Sequence, residues 1–521
     1  MSSVELLPDV LSGIVDLVPV LLIVTPILMA AAPVALGLRF DRTGWTVAAI
    51  TAVGLVAGAL ALAAEVYTRG AVIHNLGGYP RTYGIELVAD EFSTAIVVLV
   101  ATISAGVLAY TRRGGPRGNT FYSAYLLLTG GLLGISLTGD VFNLFVFLEI
   151  SSLATYALIA SGDGPESAVA ALKYLILGTI GASIYLTGVA FLFMATGTLN
   201  MAELALAIPE AEAQVLVRAA FAFIFVGFAL KVAQWPLHTW QPSAYQHAPD
   251  GVTPLVAALV STASAYALGR VMYTVFGPDF LTSTPYLTEI VVTVGTVSIL
   301  AGSTLAVIQR DVKRMLAFSS VSQFGLIVAA YGLVNETAFV GATIHLVGHG
   351  LMKAGLFAAV GLVSVSYGAR TVDEYAGLAN NRPVAAGGTA ALLIALVGVP
   401  PAVGFVGKWY IGLGAVRAEQ WPVAAVIFLS TMLTLAYTAR LIEKMYFTPA
   451  SPLEAAHPSE PVAADGGDGD GSSPLDRGVP GAVSVGMVAL VVVAAVGAIA
   501  LGFAGGAFFE LLDPFVSEVF N

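Results

Sequence analysis

A lysine lies inside a long and largely apolar stretch of this sequence, where a charged group is costly unless it is paired or hydrated. The stretch runs from Phe228 to Arg270 and reads FALKVAQWPLHTWQPSAYQHAPDGVTPLVAALVSTASAYALGR, with Lys231 near its start. Pro236 and Pro242 follow, and a proline inside a helix removes a backbone hydrogen bond and kinks or breaks the helix. In a membrane, an ammonium beside such a break is typical of an ion path. A static ion pair, or a lysine whose ammonium extends to the membrane surface, is the alternative.

Glu149 is a carboxylate in a second apolar stretch, DVFNLFVFLEISSLATYAL, which begins at Asp140. Nine residues of helix place Glu149 about 13 Å into this stretch. We predict that Glu149 pairs with Lys231, so that a proton taken up by one changes the proton affinity of the other. A static salt bridge that only fixes packing is the alternative, since a buried pair is weak evidence for stability. Asp140, Lys173 and His238 are secondary candidates for the same path.

The segment HLVGHGLMK places His345, His349 and Lys353 four residues apart, so the three side chains follow one face of a helix. Histidine titrates near neutral pH, and a column of three titratable groups suits a proton relay. The His-x-x-x-His spacing could also bind zinc, but no third ligand is evident, and the sequence therefore predicts no metal site. Either histidine alone could equally be a structural residue.

A third segment, GVPPAVGFVGKWY, repeats the arrangement around Lys231, with the pair Pro400-Pro401 followed by Lys408. Two broken helices of opposite orientation are typical of an inverted repeat with sites near the middle of the membrane. The basic residues that fall inside predicted helices are all lysines: Lys173, Lys231, Lys353 and Lys408. A buried lysine can release its proton whereas arginine keeps it, so this bias favours proton transfer.

Small polar residues precede the histidine column, with Ser320 and Ser322 beside Ser319 and Gln323. Such groups could hold water in a channel. Hydroxyl groups in membrane helices also commonly bond to their own backbone, which is the alternative.

Composition indicates what carries these residues. The chain has 521 residues, 57% of them hydrophobic and 11% charged, and a soluble domain of this length needs more charged surface. Apolar runs of about 20 residues, each long enough to span a bilayer, recur along the chain. The runs do not alternate as barrel strands do, so we predict an all-α polytopic membrane protein. The absence of cysteine excludes disulfides, iron–sulfur clusters and thiolate metal sites.

We predict about fourteen spanning helices, of which helices 7 and 12 are broken. Helices 1–3 occupy residues 1–118, helices 4–8 residues 119–275 and helices 9–13 residues 286–447, the last two sets forming two inverted five-helix repeats. Residues 448–480 form an acidic flexible linker, rich in Gly, Asp, Ser and Pro from Ala455 to Asp476. Residues 481–521 hold helix 14 and a tail. The N-terminus lacks a basic region before its apolar stretch and is predicted to be a retained helix that starts near Gly13.

Basic residues in the loops test this count. Thirteen fall on one side of the predicted membrane: Arg39, Arg42, Arg112, Arg113, Arg117, Arg310, Lys313, Arg314, Arg370, Arg382, Arg440, Lys444 and Arg477. Five fall on the other: Arg69, Arg81, Arg218, Arg270 and Arg417. The larger group is expected to be cytoplasmic, which predicts a multi-pass protein of the cell membrane with both termini extracytoplasmic.

Together these segments resemble the proton-translocating antiporter-like family, which comprises the D and A subunits of Mrp-type Na+/H+ antiporters, the antiporter-like subunits of respiratory complex I and membrane subunits of related hydrogenases. The resemblance covers roughly Asp90 to Lys444 and rests on FNLFVFLEISSLATYAL, LKVAQWPLHTWQPSAYQHAP, VKRMLAFSSVSQFG, HLVGHGLMKAGLF and GVPPAVGFVGKWY. The length of the chain and the sequence of helix 5 are most similar to those of the D type of Mrp subunits. The resemblance implies fourteen helices with two inverted repeats. It assigns proton-transfer roles to six residues: Glu149, Lys231, His345, His349, Lys353 and Lys408.

One position departs from the family pattern. Family members usually carry a lysine or histidine in helix 8, and alignment on Tyr266 and Arg270 puts Thr262 at that place. Hydroxyl groups can order a chain of water but cannot store a proton. We therefore predict a water wire here, lined by Ser261, Thr262, Ser264 and Tyr266.

The leading functional interpretation is a proton-conducting subunit of a multi-subunit Na+/H+ antiporter, whose partners are the other subunits, protons and Na+, with no cofactor and no nucleic acid. A subunit of a complex I-like or hydrogenase-like redox pump is one alternative. A non-conducting scaffold subunit is another, and it depends on Thr262. The sequence contains no nucleotide loop, nucleophile–base set or metal cluster, so an independent enzyme is not expected.

Overall fold

The computed structural model describes residues 16–40, 43–116, 118–162, 164–450 and 483–520, and they are almost entirely helical. Thirteen helices in this part of the chain are long and apolar enough to cross a membrane. Numbered as in the sequence prediction, they are helix 1 (Val18–Gly37), helix 2 (Gly44–Arg69), helix 3 (Glu91–Arg113), helix 4 (Asn119–Leu137), helix 5 (Val141–Ala160), helix 6 (Pro165–Thr196), helix 7 (Gln214–Lys231), helix 8 (Thr253–Ser283), helix 9 (Leu287–Val307), helix 10 (Val312–Gly332), helix 11 (Glu336–Tyr367), helix 13 (Trp421–Phe447) and helix 14 (Val485–Phe503).

Helix 12 is divided into two pieces, Pro383–Val397 and Val403–Arg417, each too short to be counted alone. With this broken helix, the described residues contain the fourteen predicted spans. The predicted helical, polytopic fold is therefore confirmed, with one short β-hairpin as the exception in the described residues.

The centre of the bundle consists of helices 8, 10 and 11. Their most apolar segments are 100%, 100% and 94% buried within the chain, compared with 28% for helix 1 and 33% for helices 2, 13 and 14. Polar groups on the central helices are consequently shielded from lipid by protein on every side. Helix 8 also departs from regular geometry, with wider π-type turns at Val256–Val260 and Val271–Phe276, and such turns frequently occur at functional sites.

Helices 9 and 10 approach each other to backbone contact. A methyl group added at Gly302 would lie 2.5 Å from the backbone nitrogen of Ser322, and one added at Gly295 would lie 2.4 Å from that of Ala329. Membrane helices pack through small residues in this way because lipid provides no hydrophobic force to hold them together. The close approach fixes helix 10 against its neighbour.

Two elements outside the spans lie at one end of the bundle. A β-hairpin joins helices 2 and 3 and pairs strand β1 (Val72–Asn75) with strand β2 (Glu86–Ala89) in antiparallel fashion. A short amphipathic helix, Met201–Glu210, follows helix 6. The connection between β1 and β2 reaches this helix through an ion pair of 2.6 Å between Arg81 and Glu203.

Some predictions are corrected, or fall outside the described residues. Arginine is not confined to the loops, because Arg270 lies within helix 8 and is 8% exposed. The charge of Arg270 is compensated inside the helix bundle by an ion pair with Asp90. The predicted helix start at Gly13, the acidic tract and three basic loop residues lie outside the described part of the chain: Arg42, Arg117 and Arg477.

Gly302→Ala should destabilise the protein, because the new methyl group would press on the backbone of helix 10. Overpacking of this kind costs about 1–3 kcal/mol. Gly54→Ala is the matched control, since nothing lies within 4 Å of the added methyl on helix 2. Alanine is the better helix former, so the control should unfold at the same temperature as the native chain or higher. Thermal unfolding of both purified variants in detergent measures the difference, and equal midpoints would contradict the packing argument.

Candidate functional site

Helix 7 ends at Lys231, and the chain takes five residues before it turns again at Leu237–Thr239 and enters the helix Trp240–His247. The break contains a cis Trp235-Pro236 peptide bond. Its freed backbone groups are satisfied inside the protein, as a membrane requires. The Trp235 N–H donates to Ser298 Oγ at 2.9 Å, and the Trp240 indole N–H donates to the Leu230 carbonyl at 2.9 Å.

The Lys231 ammonium is turned towards helix 5. It donates to Ser152 Oγ at 2.6 Å and lies 3.5 Å from Glu149 Oε1. The Lys231 side chain is 4% exposed and that of Glu149 23%, so the carboxylate lies at the edge of the chain while the ammonium is inside it. The predicted contact is thus present, and the hydroxyl of Ser152 is the closer of the two partners.

Helix 12 is broken by a different arrangement. Its first piece ends at Val397, and the chain passes through Gly398, at φ 94°, and the cis Pro400-Pro401 bond before the second piece begins. The Lys408 ammonium folds back onto the first piece and donates to the carbonyl oxygens of Leu396 and Val397 at 3.0 and 2.9 Å. These are carbonyls that a helix leaves unpaired at its end, so the lysine caps the break that precedes it.

The basic column of helix 11 is completely enclosed, with His345, His349 and Lys353 each 0% exposed. Lys353 Nζ donates to the Leu316 carbonyl of helix 10 at 2.7 Å and to Ser319 Oγ. His345 Nε2 lies 2.9 Å from Gln323 Oε1. Both nitrogens of His349 are buried without a hydrogen-bond partner in the described protein.

Polar groups continue from Lys231 into helix 8. Ser261 Oγ accepts from Gln241 Nε2 at 3.1 Å and lies 3.5 Å from the Lys231 carbonyl. Thr262 is 1% exposed, and its hydroxyl has no partner among the described residues. Ser261 is thus linked to the break of helix 7, and Thr262 has a hydroxyl that no described residue uses.

The other predicted members of the wire are engaged elsewhere. The Tyr266 hydroxyl donates to the Ser136 carbonyl at 2.9 Å and accepts from Arg270, so its proton is directed away from Thr262. Ser264 and Ser320 donate to carbonyls of their own helices, as the alternative interpretation expected. Ser322 Oγ lies 2.7 Å from Ser303 Oγ, between helices 9 and 10. Each of these four hydroxyls thus has a protein partner, whereas the Thr262 hydroxyl has none in the described residues, and the water wire stays a prediction.

The secondary candidates occupy two separate places. Asp140 caps helix 5, accepting from the Asn143 N–H at 2.6 Å, and burial raises the pKa of its carboxyl group. Lys173 and His238 instead line one cavity of about 290 Å³ at the break of helix 7, together with His247 and Arg314.

The structure also contains buried ion pairs, in addition to the buried lysines and histidines described above. Arg270 forms two bonds of 2.6 Å with Asp90, and this guanidinium holds the pKa of the buried carboxyl group below its usual value although burial alone would raise it. Asp250 lies 3.0 Å from Lys313 and 3.5 Å from Arg370. Burial would raise the pKa of Asp250 as well, but these two cations lower it.

Sequence reasoning missed Ser152 and Gln241 as partners, and it missed both flanking ion pairs. Gln241 lies in the stretch that was singled out, and a buried amide in such an apolar stretch was a usable signal. The pairing of Asp90 with Arg270 joins residues 180 positions apart, and no local pattern indicates it.

The described residues hold thirteen helices long enough to cross a membrane and the two-piece helix 12, and the breaks of helices 7 and 12 lie beside buried lysines, which is the arrangement of an antiporter-like membrane subunit. The model of the family described as "NADH:quinone oxidoreductase/Mrp antiporter, TM" matches residues 138–434, and the chain belongs to this family. It is 42% identical to the N subunit of NADH-quinone oxidoreductase from Desulforudis audaxviator, over 85% of this chain and 89% of the relative. It is 32% identical to the D subunit of the Na(+)/H(+) antiporter from Alkalihalophilus pseudofirmus, over 74% and 78%. A chain in the structure of the Mrp complex from a Dietzia species superposes with a TM-score of 0.86 at 27% identity, covering 98% of each chain. The resemblance noted from the sequence motifs is confirmed.

Ser152→Ala should reduce ion transport by roughly tenfold or more, because a hydrogen bond to a charged group contributes about 1.5–3 kcal/mol. Ser151→Ala is the matched control. Its hydroxyl is equally buried, but it bonds only to the Leu148 carbonyl of its own helix. Rates of proton movement in vesicles containing equal amounts of each variant give the comparison. If the two variants transport equally well, Ser152 does not serve Lys231.

Proposed function

We propose that this chain is a proton-conducting membrane subunit of a multi-subunit Na+/H+ antiporter. Six residues carry the proton: Glu149, Lys231, His345, His349, Lys353 and Lys408. The observation that carries the proposal is the kind of hydrogen-bond partner that Lys353 and Lys408 have. Lys353 and Lys408 bond to carbonyl and hydroxyl oxygens, and within the described part of the chain neither forms an ion pair.

Neutral oxygen partners suit a group that alternates between two protonation states. A lysine ammonium has three N–H donors, and the neutral amine keeps two of them. Lys408 uses two bonds, so both can remain after the proton leaves. A carboxylate partner would instead favour the charged state and oppose release.

Glu149 and Lys231 are the one pair of opposite charge in this row. At 3.5 Å their contact is longer than a charge-assisted hydrogen bond, and Ser152 holds the ammonium more closely. A proton arriving at the Glu149 edge would weaken the attraction and free Lys231 to pass its own proton inward. Helices 4–8 and 9–13 act in this proposal as the two inverted units, each with one broken helix.

The relatives' names support the transported ions and the partners. The antiporter relative is named for Na+ and H+, and the superposed structure is a complex, which favours other membrane subunits as partners. We assign the protein to the cell membrane with both termini extracytoplasmic, on the distribution of basic residues in the loops.

A subunit of a redox-driven proton pump is the second candidate, and the 42% identity to an NADH-quinone oxidoreductase subunit favours it. Both candidates use the same proton path and differ in what drives it. Purification of the intact assembly under mild conditions decides between them. Co-purifying subunits with flavin or iron–sulfur absorbance support the redox pump, and their absence from an assembly that exchanges Na+ for H+ supports the antiporter.

Lys408→Arg should inactivate transport nearly as completely as Lys408→Ala, because arginine keeps the charge but does not release its proton. Lys444→Arg is the control. Lys444 forms a 3.2 Å ion pair with Asp373 at the end of helix 13, where only charge matters, and this variant should transport normally. Proton flux into vesicles that contain equal amounts of the assembly is measured for all three. Native rates in Lys408→Arg would show that this position contributes charge alone.

Thr262→Val should impair transport far more than Thr262→Ser, because valine has a similar shape but no hydroxyl to order water at the centre of helix 8. The Thr262 hydroxyl is free of protein partners in the described residues, so its removal breaks no bond of the fold. Equal transport in the two variants rules out a wire at Thr262. If the assembly transports ions but this subunit, with its native sequence, conducts no protons, the scaffold interpretation is favoured.

A further inference from the structure

The cavity beside the break of helix 7 has a composition that proton conduction does not explain. Its lining consists of Lys173, His238, Thr239, Pro242, Ser243, His247, Arg314 and Phe318. Four of these eight residues are basic, two carry hydroxyl groups, and none is acidic. At about 290 Å³ and partly open, it is at the small end of ligand pockets, which hold roughly 300–1,000 Å³.

The basic groups come from three separate elements. Lys173 is on helix 6, Arg314 lies in the first turn of helix 10, His238 lies in the turn before the helix Trp240–His247, and His247 is the last residue of that helix. Lys173 and Arg314 carry positive charge, and the two histidines can donate hydrogen bonds. The two cations come from separate elements and repel each other, so their convergence lowers the stability of the bare protein. A negatively charged occupant removes this cost.

Most of the basic side chains are also short of hydrogen-bond partners, although His247 Nδ1 lies 3.0 Å from the Ser243 carbonyl. Within the described part of the chain, Lys173 has no carboxylate partner, and the Nδ1 atom of His238 is buried without a hydrogen bond although the side chain is 7% exposed. Among the described residues, the one hydrogen-bond acceptor of the Arg314 side chain is the amide oxygen of Gln246, at 3.4 Å, and its guanidinium lies 5.8 Å from the centre of the Phe318 ring. The nearby carboxylate of Asp250 is taken by Lys313 and Arg370.

The setting of the cavity suits a group at the membrane surface. Arg314 is exposed near the start of helix 10, and His247 ends the helix that follows the break. On helix 6, the apolar side chains next to Lys173 face outward, with Val169 62%, Leu172 53% and Ile176 52% exposed. A charged headgroup in the cavity could therefore leave its acyl chains along helix 6.

We propose that this cavity binds a phosphate group, carried by an anionic lipid headgroup or present as free phosphate. Arg314 and Lys173 supply the charge, and Ser243 and Thr239 can donate hydrogen bonds to the phosphate oxygens. The occupant would screen Lys173 from His238 and join helices 6, 7 and 10 at the point where helix 7 is interrupted. The cavity contains Lys173 and His238, the secondary candidates for the path, but none of the six residues proposed to carry the proton, and binding to it can be tested whether or not the proposed function holds.

Binding to the purified full-length chain tests the proposal. The delipidated protein in a neutral detergent is titrated separately with short-chain phosphatidylglycerol, short-chain phosphatidylcholine and inorganic phosphate, and each dissociation constant is measured by calorimetry. Lys173→Gln and Arg314→Gln should each weaken binding about fivefold, the contribution of one basic residue near a membrane surface. Arg310→Gln removes the same charge from the turn outside the cavity and should bind like the native chain. Lys173→Arg keeps the charge and should bind like the native chain as well.

The three ligands distinguish the source of the phosphate. Binding of phosphatidylglycerol with the expected variant pattern, and weaker binding of both other ligands, supports a lipid site. The same pattern with inorganic phosphate at equal or higher affinity supports a site for a soluble phosphate. The proposal is overturned if neither anion binds, if phosphatidylcholine binds as well as phosphatidylglycerol, or if the cavity variants are no weaker than Arg310→Gln. Circular dichroism and a single elution peak ensure that each variant is folded before it is compared.

Discussion

A lysine in the interior of a membrane protein needs oxygen partners, and the nearest ones are the carbonyls that a helix leaves unpaired where it ends. Lys408 donates to the last two carbonyls of the first piece of helix 12. The break therefore supplies oxygen partners for the buried ammonium, and the ammonium satisfies carbonyls that the break leaves unpaired. Lys353 of helix 11 bonds to a carbonyl and a hydroxyl of helix 10, so these two helices must stay in contact for the ammonium to keep its oxygen partners. The buried position of helices 8, 10 and 11 follows, since these contacts survive only where lipid is excluded.

The two broken helices satisfy this requirement differently. In helix 7 the indole of Trp240 occupies the carbonyl of Leu230, so Lys231 remains available for Ser152 and Glu149 on helix 5. In helix 12 the lysine itself fills the corresponding role. The first lysine thus meets a titratable carboxylate at the edge of the chain, and the second meets only backbone. The two ends of the proposed path therefore differ chemically, with a Glu–Lys pair at one end and an amine without a charged partner at the other.

The sequence predicted the spanning helices because length and apolar character decide them, and the proline pairs located both breaks. It predicted the contact between Glu149 and Lys231 because a buried charge needs a partner of opposite charge and the apolar helices contain few charged residues. It could not predict Ser152 as the nearer partner, since serine in a membrane helix usually bonds its own backbone. Both Ser151 and Ser152 donate to the Leu148 carbonyl, and only Ser152 also accepts from Lys231. It placed Tyr266 in the water wire, but the Tyr266 hydroxyl accepts hydrogen bonds from Arg270. The sequence prediction had placed this arginine in a loop outside the membrane. Contacts between distant segments, such as Asp90 with Arg270, carry no local pattern at all.

The surroundings of Arg270 have a consequence for how the chain is made. Asp90 gives this guanidinium its charge partner, but its cover is aromatic, with the ring of Phe92 at 5.4 Å and that of Phe515 at 5.0 Å. Phe515 belongs to the helix Gly505–Phe520, which leaves the ribosome some 245 residues after Arg270. Domains fold largely in the order of their synthesis, so helices 3 and 8 insert and pair while one wall of this pocket is still missing. Until the helix Gly505–Phe520 docks, the Asp90–Arg270 pair therefore has an open side, and its full burial has to wait for a segment far along the chain.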